Sequence, residues 1–350
     1  MAQCKCGSVQ LGGWAGPGPG ARVLLLFYLK SYHYELQGVL TMDQSILQKK
    51  AMLVTVNISI LSGRKKDKKA SESVAAEFGS DGKMGHYIKQ SIAKEHLDRI
   101  QSNANEFRTF VYKHTLPFEN KGARLLSVDL YAKLDEEQRK AAMEHEAGVI
   151  EFLDNYDGYI EEARRRLNGL FNIADYPDRD KLADKFNFAV SFAPVPVGQN
   201  LVVDIASEEL GRLQADINAR GQEALAGAMA DVWDRVFQAV KRLQEKMLAE
   251  DRIDKRGNVK APIFRDSIVE NVRELVDILP GLNIAGDINL EKARQELERD
   301  LCDIDVGDLR ESKESRSEVA QKAGDILNNL AGYLGGSDAG AGADSQAAGA

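Results

Sequence analysis

Hydrophobic and polar positions alternate from Met52 to Ile60, with Val54, Val56, Ile58 and Ile60 on one side and Thr55, Asn57 and Ser59 on the other. A period of two, rich in β-branched residues, predicts a half-buried strand near 52–60. The same alternation returns near 186–192 (FNFAVSF), breaks at Pro194 and Pro196, and resumes near 201–205 (LVVDI). The last two segments predict an antiparallel hairpin, with 52–60 as its third strand.

Most of the remaining chain has a helical period. Ala70 to Phe78 predicts a short helix stopped at Gly79, followed by a glycine-rich loop to Gly85. Tyr87 to Tyr112 predicts a longer helix that buries Ile88, Ile92, Leu97, Ile100, Phe107 and Val111 and ends before Pro117. Asp135 and Gln138 have capping-box spacing and predict the start of a helix. Its stripe is Met143, Ala147, Ile150, Leu153 or Tyr156, Ile160, Leu167 and Leu170-Phe171, with a bend at Gly158.

The longest pattern runs from Ser207 to about Glu250, with Leu210, Leu213, Ile217, Leu225, Met229, Val232-Trp233, Val236-Phe237, Val240, Leu243 and Met247 on one face. At ~1.5 Å per residue this is a rod near 60 Å, and the helix around Met143 to Phe171 is its expected partner. A helix opened by Pro262 and stopped at Pro280-Gly281 follows, then two more near Leu290 to Leu301 and Ser312 to Tyr333. The predicted fold is therefore α+β and mainly α, a small antiparallel sheet packed with long antiparallel helices.

The ends differ from this body. Residues 1–41 are rich in glycine and lack a hydrophobic period, and patterned sequence begins at Met42. The expectation is that Met42 is the biological start and that 1–41 is a non-native or disordered extension, with a real N-terminal arm as the alternative. Residues 42–334 are expected to form one elongated domain. The Gly/Ala-rich stretch 335–350 is expected to be a disordered tail.

The chain has 350 residues, with 46 basic and 54 acidic side chains for a net charge of −8. Three cysteines (Cys4, Cys6 and Cys302) exclude a disulfide framework and suit a reducing cytoplasm. The longest apolar run, Val23 to Leu29, is far short of a membrane span. The net charge hides segregation. Between Lys49 and Lys69 lie seven bases and one acid, Asp67. Between Val128 and Glu162 lie eleven acids and three bases, and between Asp287 and Glu318 eleven acids and six bases.

Catalytic signatures are missing from the sequence. Gly79-Ser80-Asp81-Gly82-Lys83 lacks the spacing of a phosphate-binding loop. His33, His86, His96, His114 and His145 have no ligand spacing and read as surface or packing residues. Cys4 and Cys6 have no second pair to complete a zinc site, and Cys302 reads as inert packing. Asp303 to Glu314 resembles a calcium loop with its glycine misplaced, so a linker between helices is the better reading. Asp154, Asp157 and Glu161 fall on one helix face without the histidines of a di-iron site and read as an acidic solvent face. No metal or cofactor is implied. The feature with positive content is the basic run Arg64, Lys65, Lys66, Lys68 and Lys69, placed to touch phosphates or a partner without reading sequence. No aromatics are interleaved with it.

Four stretches carry a resemblance: Leu53 to Ser71, Tyr112 to Ser127, Arg166 to Pro177 and Ile263 to Asp287. Together they resemble a family of uncharacterised proteins from tailed phages and prophages, described as a domain of unknown function, over about Met42 to Leu334. The resemblance implies a phage-derived protein in the bacterial cytoplasm, with an AAA+ ATPase as a partner, and it names no site residues. The expected function is that of a non-enzymatic helical scaffold or adaptor. The alternative is a nucleic-acid-associated accessory protein using residues 64–69. Self-association is expected as well: one neighbouring helix can bury only part of the α-helical stripe, so the 262–279 helix is expected to fold back over Val236 to Val240 and a second copy to cover the stripe further along.

Overall fold

A computed structural model describes residues 44–119, 122–249, 252–253, 259–260 and 267–335. The expected N-terminal extension, the Pro262 helix start and the Gly/Ala tail beyond Gly335 lie outside the described residues. The fold is α+β and mainly helical. In chain order, α1 (Gln44–Lys50) leads into β1 (Ala51–Ser59), then β2 (Arg64–Asp67), α2 (Lys68–Phe78) and β3 (Tyr87–Gln90). Next come α3 (Asp98–His114), β4 (Leu116–Pro117), β5 (Arg124–Ser127), α4 (Val128–Asp154), α5 (Tyr156–Leu167), α6 (Arg179–Ala183) and β6 (Asn187–Pro194). The long α7 (Ser207–Met247) follows, then β7 (Arg252–Ile253), β8 (Val259–Lys260), α8 (Ser267–Leu282), α9 (Ile288–Leu301), α10 (Val306–Glu311) and α11 (Lys313–Gly335). No helix among the described residues is long and apolar enough to cross a membrane.

The main sheet has the order β4-β5-β1-β6, all antiparallel. The predicted pairing of 52–60 with 186–192 is present, with Val56 opposite Val190 and Ile58 opposite Phe188. The predicted hairpin is not. Residues 201–205 form no strand, and the third strand is β5, with Leu125 opposite Leu53. The cause lies in the connection after β6. Val195 and Val197 are buried, and the Gly198 amide donates to Asn218 Oδ1 of α7 at 2.8 Å. Gln214 Nε2, also on α7, donates to the Leu201 carbonyl at 3.3 Å. The chain is thus drawn onto α7 before it could return along β6.

Two further elements depart from the sequence reading. The expected helix over 87–112 is split: 87–90 is a strand, and α3 starts only at Asp98. The break occurs where the Ser91 and Ile92 amides both donate to the Gly63 carbonyl, at 2.8 and 3.2 Å. The α4 helix starts at Ser127, whose Oγ accepts from the Asp129 amide, rather than at Asp135. Its buried face is Leu130, Leu134, Ala141, His145, Gly148 and Phe152, whereas Met143 (65% exposed) and Ile150 (54%) point away. Close packing on α3 explains the choice. A Cβ at Gly148 would lie 3.0 Å from Ile100, and Asn103 Nδ2 donates to the Ala141 carbonyl at 2.9 Å. Small residues permit that approach, so hydrophobicity alone pointed to the wrong face. The helix breaks at Asn155, not at Gly158.

The α7 helix has 41 residues, as its pattern predicts. Its buried positions run from Gly221 to Met247, while Leu213 near its start is exposed. Its main helical neighbours are α11 and α8: the fold-back of the 262–279 segment over Val236 and Val240 is present, whereas the partnership expected with the 143–171 region is not. Val236, Val240, Leu243 and Met247 are covered within the chain, so no bare stripe remains there for a second copy. Trp233 links the layers, its Nε1 donating to Asp287 Oδ2 at 3.1 Å while Asp287 Oδ1 caps α9. The α8 helix passes through Pro280 to end at Leu282, just beyond the predicted stop.

Two expected outcomes follow from this packing. Gly198→Ala should lower stability by about 1–3 kcal/mol, because its Cβ would lie 2.3 Å from the Gln214 carbonyl oxygen. A thermal melt checks this, and an unchanged melting temperature would contradict the docking of 198–201 on α7. His145 is buried beside Phe188, and neither ring nitrogen has a hydrogen-bond partner among the described residues. Burial pushes its pKa below the usual histidine value. The unfolded chain then takes up a proton that the folded chain refuses, so stability falls as the pH drops below about 6.5. Denaturant midpoints at about pH 7.5 and about pH 5.5 measure the loss, and His145→Leu should shrink the difference between them.

Candidate partner-binding flap

The basic run does not lie in a loop. Arg64 to Asp67 form β2, paired antiparallel with β3 in the register Arg64 to Gln90, Lys65 to Lys89, Lys66 to Ile88 and Asp67 to Tyr87. Asp67 then caps α2, its Oδ1 accepting from the Ala70 amide at 3.0 Å. Ser71 Oγ donates to the Asp67 carbonyl and accepts from the Tyr87 amide, which ties the helix to the ribbon. The helix ends at Gly79 in the left-handed region (φ 59°), where glycine carries no Cβ penalty. Residues 64–90 therefore form a flap of strand, helix and strand in which Ser71 and Lys89 alone are buried.

A pleated strand sends alternate side chains to opposite faces. Lys65, Asp67 and Lys89 share the inward face, and Arg64, Lys66, Ile88 and Gln90 the outward one. Inward, Lys89 is only 4% exposed, and its Nζ donates to Asp67 Oδ2 (2.7 Å) and the Leu170 carbonyl (2.7 Å) and lies 2.8 Å from Asp175 Oδ2. These contacts occupy the three donors of the ammonium. Burial alone would lower its pKa, but hydrogen bonds to Asp175 and Asp67 outweigh this and hold it above the usual lysine value. The Ala70 amide, followed by Lys89, holds the Asp67 carboxyl below the usual carboxylate range. Tyr176 Oη adds a bond to the Ser91 carbonyl at 2.9 Å. Beneath lies a second core of Ile92, Leu97, Ile100, Phe152, Tyr156 and Leu182.

All five predicted bases are exposed, Arg64 and Lys66 on the outward face, Lys65 on the inward one, and Lys68 and Lys69 in the first turn of α2. Lys65 lies 4.0 Å from Asp175, and Lys68 lies 3.9 Å from Glu72. Among the described residues, no carboxylate lies within ion-pair distance of Arg64, Lys66 or Lys69. The one acid in the run is thus turned inward and neutralised. Sequence reasoning found the bases but missed Lys89, Asp175 and Gln90, since no local pattern joins positions 22 to 110 residues apart.

The other sequence features scatter. Asp154 bonds Arg179 and Glu161 pairs with Arg164, on either side of the break at Asn155. Asp305 Oδ1 caps α10 by accepting from the Gly307 amide at 2.7 Å. Cys302 is half-buried, and burial raises its thiol pKa. His96 contacts Glu162 at 2.7 Å and stacks on Tyr159. Among the described residues, no group of three or more His, Cys, Asp and Glu side chains could hold a metal ion.

Lys89→Met should release the flap, because it leaves two half-buried carboxylates facing each other without the cation between them. Amide exchange over 64–90 should accelerate about tenfold or more, while α7 and α11 stay protected. Equal exchange in the variant and the parent would show that the ion cluster does not hold the flap.

Compared with family models, curated proteins and solved structures, the chain matches none.

Proposed function

We propose that this chain is a non-enzymatic accessory protein that uses the β2–α2–β3 flap to hold an anionic partner within a larger assembly. The observation that carries the reading is the flap itself. It is fastened to the body on one face and presents unneutralised cations on the other. The helical body of α7, α8, α9 and α11 then serves as the scaffold that positions it. With the phage resemblance taken in, the setting is a bacterial cytoplasm and the first protein partner to test is an AAA+ ATPase.

A second reading has its own support. Turning Asp67 inward leaves an exposed cationic surface of the kind that contacts nucleic-acid phosphates without reading sequence.

A mobility-shift titration with random-sequence duplex DNA separates the two. The nucleic-acid reading expects binding whose logarithm falls with log salt at a slope of about −4, set by four to five phosphate contacts. That binding should be lost when Arg64, Lys65, Lys66, Lys68 and Lys69 are replaced by Ala. The protein-adaptor reading expects no shift, together with flap-dependent binding of the purified ATPase that survives nuclease treatment.

A further inference from the structure

We propose that the outward face of the β2–β3 ribbon enters the major groove of duplex DNA and reads base edges through Arg64 and Gln90. The inference rests on the nucleic-acid reading above and adds to it a groove, a register and two reading residues.

The element has a suitable shape. The major groove of B-DNA admits an α-helix or a two-stranded β-ribbon. The β2–β3 pair is a separate two-stranded sheet, so neither edge is flanked by a further strand and the ribbon stays narrow. Its outward side chains are Arg64 opposite Gln90 and Lys66 opposite Ile88, all exposed, with Ile88 at 60%.

The side-chain chemistry suits base edges. Arginine makes a bidentate contact with guanine O6 and N7, glutamine makes one with adenine N6 and N7, and an apolar side chain suits the thymine methyl. Along a strand, Arg64 and Lys66 stand about 6.8 Å apart, close to two base-pair steps of ~3.4 Å. Four side chains of this face would therefore span two to three base pairs. Lys68 and Lys69 open α2 directly after the ribbon, where they can reach the flanking phosphates.

The inward face supplies rigidity. Lys89, Asp67 and Asp175 fix the ribbon from behind. The reading side chains thus project from an already ordered backbone and save the ordering cost on binding. Single-stranded nucleic acid fits less well, because the outward face has no aromatic side chain on which bases could stack. The flap's aromatics are Phe78, in the last turn of α2, and Tyr87, on the other face of the ribbon.

Selection by the full-length chain from a library of randomised duplex DNA tests the proposal. The expected result is an enriched motif of two to three base pairs containing a G and an A. Arg64→Ala should relax the G position and Gln90→Ala the A position, each by roughly 5- to 150-fold in discrimination. Arg64→Lys keeps the charge but not the fork, so it should lose the G preference while holding random duplex nearly as well as the parent. The double change Lys68→Ala with Lys69→Ala should weaken all sequences alike and lower the salt slope by about two. All these residues are exposed, so thermal melts of the variants should match the parent.

Salt-dependent binding of random duplex without any enriched motif would overturn the proposal and leave the phosphate-contact reading standing. Preference for single strands would do the same. Absence of any DNA or RNA binding, with flap-dependent binding to an acidic protein surface instead, would overturn both.

Discussion

The buried ammonium of Lys89, held between Asp67 and Asp175, is the constraint on which the flap depends. Five bases at neighbouring positions in and beside a short strand repel one another and would not by themselves order a two-stranded ribbon, which is marginal in water. Lys89 supplies the missing order from the opposite strand. It joins β3 to the end of β2 through Asp67, and it joins both strands to the turns after α5 through Asp175 and the Leu170 carbonyl. The same contact settles the electrostatics. It takes the only acid of the run out of the surface and leaves the outward face cationic on a chain whose net charge is negative.

Beneath the flap, two cores divide the work. The smaller one, around Ile92, Leu97, Ile100, Phe152, Tyr156 and Leu182, joins α3, α4, α5 and α6. The larger one wraps the C-terminal two-thirds of α7 with α8, α9 and α11 and continues into the sheet through Val54, Leu116 and Leu125. Burying a side chain of the size of Val236 or Leu243 contributes roughly 1.5–3 kcal/mol. A stripe of that length is therefore stable only when covered. Here the chain covers it by folding α11 back along α7.

Strong periodicity was legible and weak periodicity was not. The α7 helix, the strand near 52–60 and its pairing with 186–192 follow from patterns that local and tertiary forces share. The α4 face was misread because close helix packing selected Ala141 and Gly148 over Met143 and Ile150. The strand at 87–90 was hidden because YIKQ also suits a helix, and what decides it is pairing with a segment more than twenty residues away. The expected strand at 201–205 failed for a related reason, since contacts of Gly198 and Leu201 with α7 outcompete return to the sheet. At the candidate site the bases were visible in the sequence. Their division into an inward lock and an outward face was not, because that depends on the register of β2 against β3.

Chemical labelling of amines tests the central claim, that Lys89 faces inward as a lock while the neighbouring lysines face solvent. In the folded chain, trace acylation read by peptide mass spectrometry should modify Lys66, Lys68 and Lys69 at the rates of free surface lysines. Lys89 should react far more slowly, because its amine is buried, fully hydrogen-bonded and protonated. Labelling of Lys89 as fast as Lys66, or protection of Lys66, Lys68 and Lys69 together, would contradict the account.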